Sequence, residues 1–168
     1  MNSSINRQIT KSPNHKLNQS PHDPMTQSIK PPVKILFVCV GNACRSQMAE
    51  AWANHFGKGR VQASSAGTHA FGSIPKDTCT VMSEKGISLD GQWSKGLRDV
   101  AMAEMDVVVS MGREVECPMP AGFKGRVENW NIPDPFARGK ESFRNVRDMI
   151  ERQVLELLTD VIAPDIPA

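Results

Sequence analysis

The chain has 168 residues, a formal net charge of +2 and 39% hydrophobic residues, enough for one domain with a sizeable core and an additional segment. No apolar run approaches the ~20 residues of a membrane span, the N-terminus lacks the apolar stretch of a secretory leader, and no basic block interleaved with aromatics suggests nucleic acid. The four cysteines, Cys39, Cys44, Cys79 and Cys117, show no Cys-x2-Cys pairing, so no metal site is expected. Free thiols without an export signal fit a reducing cytoplasm.

Residues 1–32 mix Ser, Pro, Asn and Gln with isolated apolar residues, a composition that predicts a disordered tail before a domain over 33–162. His15 and His22 lie in that tail and are read as solvated. Ile35 to Val38 is an apolar run of strand-forming residues ending near Gly41-Asn42, where positive φ is cheap. Met48, Trp52 and Phe56, with Ala49 and Ala53 beside them, predict an amphipathic helix. Gly57 and Gly59 break it. A second strand is expected over Arg60 to Ser65, ending in Ser64-Ser65-Ala66-Gly67-Thr68.

Ile74 to Lys85 reads as a helix, with Pro75 in its first turn and Gly86 as its stop. Cys79, inside it, is expected in the core. Ile87 to Lys95 is irregular and Leu97 to Met105 a short helix. Asp106 to Met111 is a third buried strand and Arg126 to Asn129 or Trp130 a fourth. The last helix, Glu141 to about Val161, carries the stripe Phe143, Val146, Ile150, Val154, Leu157 and Val161, and Pro164 ends any continuation. Alternating strands and helices with Val-rich strands imply an α/β fold, a four-stranded parallel doubly wound sheet with helices on both faces. In such sheets ligands bind beyond the carboxyl ends of the strands, near a switch in strand order.

Cys39 stands at such an end. The stretch from the first strand to the first helix is an anion cradle in sequence form, because loop N–H groups and a helix N-terminus both favour negative charge. The oxyanion-binding residues are read as Val40, Gly41, Asn42, Ala43, Cys44, Arg45 and Ser46. A helix N-terminus and a neighbouring cation favour the thiolate of a cysteine. Arg45 offers a planar fork suited to two oxygens of a tetrahedral anion, and Ser46 a hydroxyl for the Cys39 sulfur. Asn42 has the side chain to tie the loop to itself.

The segment Cys39-x5-Arg45-Ser46 resembles the active-site loop of the low-molecular-weight protein tyrosine phosphatases and, equally, that of the arsenate reductases that share their fold. The continuation Ser46-Gln47-Met48-Ala49-Glu50-Ala51 is more similar to the reductases. The resemblance runs from Val33 to Leu158 and implies the phosphatase I (flavodoxin-like) architecture. It also implies that Asp134, held between Pro133 and Pro135, is a catalytic acid. From its residues alone, Asp134 reads first as a turn residue before proline, and it could also orient Arg45 or another group of the loop. Phosphatases of this kind usually follow that Asp-Pro with tyrosines that wall the substrate pocket; here Phe136 and Ala137 follow, and the chain contains no Tyr. Ser64-Ser65-Ala66-Gly67 is similar to the family's Ser-Ala-Gly segment, which leaves Ser65 as a partner for Asn42 or as an ordinary strand-end residue. Phe71 is a candidate for the rim of the site, and His69 an exposed loop residue.

Thioredoxin-coupled reductases of this type carry two further cysteines after the third strand. Cys117, before Pro118, matches the second; Met111 and Arg113 occupy the positions where the first is usually found. The second thiol is therefore Cys117, Cys44 or an external small thiol, and Cys117 is otherwise a small buried hydrophobe. Cys44 either packs against the sheet or pairs with Cys39 to protect it.

The reading is an enzyme that acts through a covalent adduct on Cys39, with Arg45, Asp134 and Cys117 as its other catalytic residues. Arsenate reductase is favoured. A phosphatase hydrolysing phosphate monoesters is the alternative, and a non-catalytic oxyanion-binding module the third reading. No organic cofactor is implied. A reductase needs an external thiol such as thioredoxin, glutathione or mycothiol, which makes thioredoxin or glutaredoxin an expected partner beside the arsenate or phosphate oxyanion.

Overall fold

The computed structural model describes residues 30–162. The expectations for the tail before residue 30, and for Pro164, lie outside these residues. The strands are β1 (Val33–Cys39), β2 (Val61–Gly67), β3 (Val107–Met111) and β4 (Arg126–Trp130), and the helices are α1 (Arg45–Gly57), α2 (Lys76–Ser83) and α3 (Lys140–Val161). All strand pairs are parallel, in the order β2-β1-β3-β4. The chain leaves β1 to one side for β2 and returns past it to β3, so the switch in strand order falls at the carboxyl end of β1. There Cys39 pairs with Gly67, and one residue earlier Val38 pairs with Ser110.

Alternation along β1 divides the core. Ile35, Phe37 and Cys39 face one cluster with Met48 and Trp52 of α1, Val81 and Met82 of α2, and Ile150 and Val154 of α3. Leu36 and Val38 face the other, with Val108 and Met102, covered by Leu97, Val100, Met105, Val115, Cys117, Met119 and Phe123. Residues 35–38 of β1 are fully buried, as a central strand covered on both faces requires.

Three local expectations change. The predicted helix Leu97 to Met105 is two single 3-10 turns, Leu97–Asp99 and Met102–Glu104, because Val100 is extended (φ −125°, ψ 142°). The Asp99 carboxylate accepts the Gly96 N–H at 2.8 Å and closes the first of these turns. The helix predicted over Ile74 to Lys85 is shorter: Pro75 is its extended N-cap (ψ 147°), outside the first turn. Cys79 is exposed and not in the core. The buried residues of α2 are Thr78, Val81 and Met82, and one residue beyond Thr78 the helix has turned by about 100° towards solvent.

Among the described residues no helix is long and apolar enough to cross a membrane.

Candidate active site

The loop between β1 and α1 is built from the outside in. Its carbonyls are taken one after another by groups around it. Cys39 O accepts from Thr68 N (3.0 Å), Val40 O from His69 N (2.8 Å), and Gly41 O from Phe71 N (2.9 Å) and Ser94 Oγ (3.1 Å). Asn42 O accepts from Gln47 Nε2 (3.1 Å) and Ala43 O from Thr78 Oγ1 (3.2 Å). In a trans peptide the N–H points opposite to the preceding C=O. With five successive carbonyls turned outward, the N–H groups of residues 40–44 turn inward and form the anion cradle. The fit against β2 is close: a Cβ on Gly67 would lie 2.6 Å from the Val40 carbonyl oxygen, so only glycine permits it.

Asn42 locks this shape. It is fully buried at φ 45°, a conformation that asparagine tolerates better than most residues. Its Oδ1 accepts the Lys95 backbone N–H (2.8 Å) and Gln47 Nε2 (2.9 Å), which orients the amide. Its Nδ2 then donates to Ser46 Oγ and to Ser65 Oγ, each at 2.9 Å. With Ser46 Oγ accepting from Asn42, its single proton is free for Cys39 Sγ, 3.0 Å away. When Cys39 is a thiolate, this is the only sense in which that pair can bond. Ser65 hands its own proton to Glu50, whose carboxylate meets Lys95 Nζ at 3.3 Å. The Asn42→Ala variant strips acceptors and donors from this buried network and puts alanine at positive φ. The expected loss is about 3 kcal/mol in urea unfolding.

Arg45 is almost wholly buried, with its side chain 2% exposed. Nη1 donates to Met111 O (2.8 Å), Ile132 O (3.2 Å) and Glu114 Oε1 (2.6 Å), and Nη2 donates to Asp134 Oδ2 (2.9 Å). Asp134 Oδ1 accepts the Phe136 N–H at 3.0 Å, so both carboxylate oxygens are held while the group remains on the pocket wall. Burial pushes the Glu114 carboxyl up, but its own backbone N–H and Arg45 outweigh this and hold it below the usual range.

A single small pocket is lined by Cys39, Gly41, Ala43, Cys44, Arg45, Asp134, Phe71 and Phe136. The two phenyl rings meet edge to face, with centroids 6.3 Å apart, and both are more than half exposed. They form its mouth. Cys39 is 2% exposed at its floor. Val40 lies in the same loop and contributes its backbone.

Cys44 is also buried, at the N-cap of α1. Burial pushes its thiol up from 9.0 to about 11, against a hydrogen bond with Thr78. Folding thus favours the protonated thiol. The stability this confers is held in full below pH 9 and lost as the pH climbs towards 11. Unfolding free energies measured across that window should fall by on the order of 2–3 kcal/mol in the wild type, and Cys44→Ala should remove that part of the slope.

The structure thus brings Cys39, Asn42, Cys44, Arg45, Ser46 and Asp134 together and leaves Cys117 apart. Cys117 is half-buried against Leu36, Val38 and Val108, on the sheet face opposite Cys39, and burial pushes its thiol pKa up. His69 is exposed, beside Thr68. Sequence reasoning missed Glu114, Lys95, Ser94 and Thr78, which reach the loop from irregular segments or from another helix. It also gave no role to Gln47 and Glu50, whose spacing on α1, one and four residues after Ser46, was the signal available.

A buried cysteine under a ring of inward N–H groups, with a buried arginine beside it, defines a cysteine-based enzyme of oxyanion chemistry. The chain belongs to the low molecular weight phosphotyrosine protein phosphatase family, whose sequence profile it matches over residues 34–164. It is 33% identical over 129 residues to a glutaredoxin arsenate reductase of Synechocystis, covering 76% of this chain and 98% of that protein. Among solved structures it is similar to an arsenate reductase in the phosphate binding state (TM-score 0.72, 32% identity, 77% of this chain and 98% of that one). It is also similar to a protein tyrosine phosphatase (TM-score 0.69, 26% identity, 79% and 97%).

Proposed function

We propose that the protein is a thiol-dependent arsenate reductase. The observation that carries this reading is the Cys39 sulfur, which lies at the floor of the cradle with the Ser46 proton aimed at it. Its relatives named as arsenate reductases and the absence of tyrosine at the pocket mouth favour arsenate over an aryl phosphate. In the first step the Cys39 thiolate attacks arsenic, an S–As bond forms, and one arsenate oxygen leaves as water after taking up protons, with Asp134 assisting. The inward N–H groups and Arg45 hold the charge on the other oxygens. In the second step a thiolate attacks the Cys39 sulfur. An S–S bond forms, the S–As bond breaks, and its electron pair stays on arsenic, so two thiols become one disulfide as As(V) becomes As(III). Cys117 supplies that second thiol, and an external thiol such as thioredoxin, glutaredoxin, glutathione or mycothiol then reduces the disulfide. The setting is a reducing cytoplasm.

The second reading is phosphate monoester hydrolysis through a cysteinyl-phosphate. The Phe71 and Phe136 rings favour it, since they give the pocket mouth an aromatic wall against which an aryl ester can pack. Thioredoxin-coupled arsenate turnover of Cys117→Ser, measured beside p-nitrophenyl phosphate hydrolysis, separates the two. Arsenate turnover is expected to fall by at least about 100-fold, since the electron transfer loses its thiolate, while ester hydrolysis persists. Full arsenate turnover in Cys117→Ser would remove Cys117 from the mechanism. Ester hydrolysis with no arsenate turnover in the wild type would leave the phosphatase reading.

A further inference from the structure

Two carboxylates share the guanidinium of Arg45, and they come from different parts of the chain. Asp134 belongs to the rigid Pro133–Pro135 loop. Glu114 belongs to the loop that leaves β3 and carries Cys117 three residues later. Glu114 reaches Arg45 because the chain turns at Gly112, at φ 133°. A Cβ there would fall 2.4 Å from Arg45 Nη1 and 2.6 Å from the Glu114 carboxylate, so only glycine leaves room for this pair. The Arg45 side chain is 2% exposed and that of Glu114 52%. Glu114 can therefore swing into water at little desolvation cost, whereas the arginine cannot follow.

We infer that Glu114 is a latch: its carboxylate holds the Cys117 loop on Arg45, and an oxyanion in the cradle loosens that hold by drawing on the same buried positive charge. The physical basis is competition between two anions for one cation whose solvation is fixed. Nη1, which Glu114 binds, also serves the buried carbonyls of Met111 and Ile132, so three acceptors share two protons there. Glu114 is the one acceptor of the three that can leave. Coupling of this kind is reciprocal: the factor by which Glu114 weakens oxyanion binding is the factor by which the oxyanion weakens the latch.

The latch addresses a difficulty left by the resting arrangement, in which Cys117 packs on the far face of the sheet from Cys39. Releasing the Gly112–Cys117 segment only when the cradle is filled keeps the second thiol away from an empty site. That use of the latch rests on the proposed reductase function; the coupling itself rests on the Arg45 geometry alone.

The test uses the whole protein and inorganic phosphate. Iodoacetamide labelling of Cys39 and Cys117 is followed separately by peptide mass spectrometry, with and without phosphate, and phosphate affinity is measured by calorimetry in the wild type and Glu114→Gln. Phosphate should protect Cys39 and speed labelling of Cys117 by about fivefold or more in the wild type. In Glu114→Gln, Cys117 should label fast without phosphate, no longer respond to it, and phosphate should bind about fivefold or more tighter. Protection of Cys39 with unchanged labelling of Cys117 in the wild type would overturn the latch while leaving the cradle intact. Weaker phosphate binding in Glu114→Gln would also overturn it, making Glu114 a support of Arg45 rather than its competitor. No protection of Cys39 would overturn the cradle reading and the latch with it. If Cys117→Ser retains arsenate turnover while phosphate still speeds Cys117 labelling in the wild type, the latch stands and the reductant assignment fails.

Discussion

Cys39→Ser is expected to lower turnover of arsenate and of aryl phosphate by at least about 10⁴-fold, as loss of a covalent nucleophile does elsewhere. The fold-level consequences should be small. The substitution exchanges sulfur for oxygen at the end of β1, where the residue is 2% exposed, and it leaves the outward carbonyls and inward N–H groups of residues 40–44 in place. Phosphate should therefore still bind, with calorimetry giving an affinity within about tenfold of the wild type. Retention of binding with loss of turnover separates the nucleophile from the cradle. Loss of both would mean that the sulfur organises the loop.

Arg45→Lys should also be strongly damaging, for a different reason. The guanidinium serves Met111 O, Ile132 O, Glu114 and Asp134 at once while buried beside the pocket. An ammonium has three protons on one nitrogen and no fork, so it cannot keep the two carbonyls satisfied and face an oxyanion as well. Turnover should fall by about 10²–10³-fold, mostly in kcat, because the lost contacts matter most as negative charge builds on the equatorial oxygens. Stability should fall by about 3 kcal/mol in chemical unfolding, since buried acceptors lose their donor. A lysine variant with wild-type kcat would show that the backbone cradle alone carries the charge.

The parts of the fold written in short-range pattern were readable in advance. β1, its turn and α1 follow from an apolar run, Gly41-Asn42 and the Met48–Trp52–Phe56 stripe, and Cys39, Asn42, Arg45 and Ser46 are close in sequence as well as in space. The hydrogen bonds Ser46–Cys39 and Asn42–Ser65 were open to inference because each joins residues within or beside one loop. Glu114 and Lys95 were not. Each comes from a segment with no periodicity, and Glu114 meets Arg45 across 69 residues of chain. The positions are decided by the backbone turn at Gly112 and, for Lys95, by an extended segment that bridges Gly67 at Gly96, neither of which a residue pattern announces. Cys79 lies on the solvent side of α2 against expectation, because a helix of eight residues offers too few turns for its apolar stripe to be legible in the sequence. The segment 97–105 is expected as one short helix and is not one. The extended Val100 splits it, and its side chain packs on Leu36 and Val38 from that conformation.

The claim that joins these observations is that electrons for arsenic come from Cys39 and Cys117 of this chain. The most direct measurement is a single turnover of the fully reduced protein with arsenate in the absence of any other thiol, quenched with acid, with arsenite assayed and disulfides mapped by mass spectrometry. The account predicts one arsenite per protein and a Cys39–Cys117 disulfide, with Cys44 and Cys79 still free. All four thiols free and no arsenite, in a preparation that hydrolyses p-nitrophenyl phosphate, would contradict it.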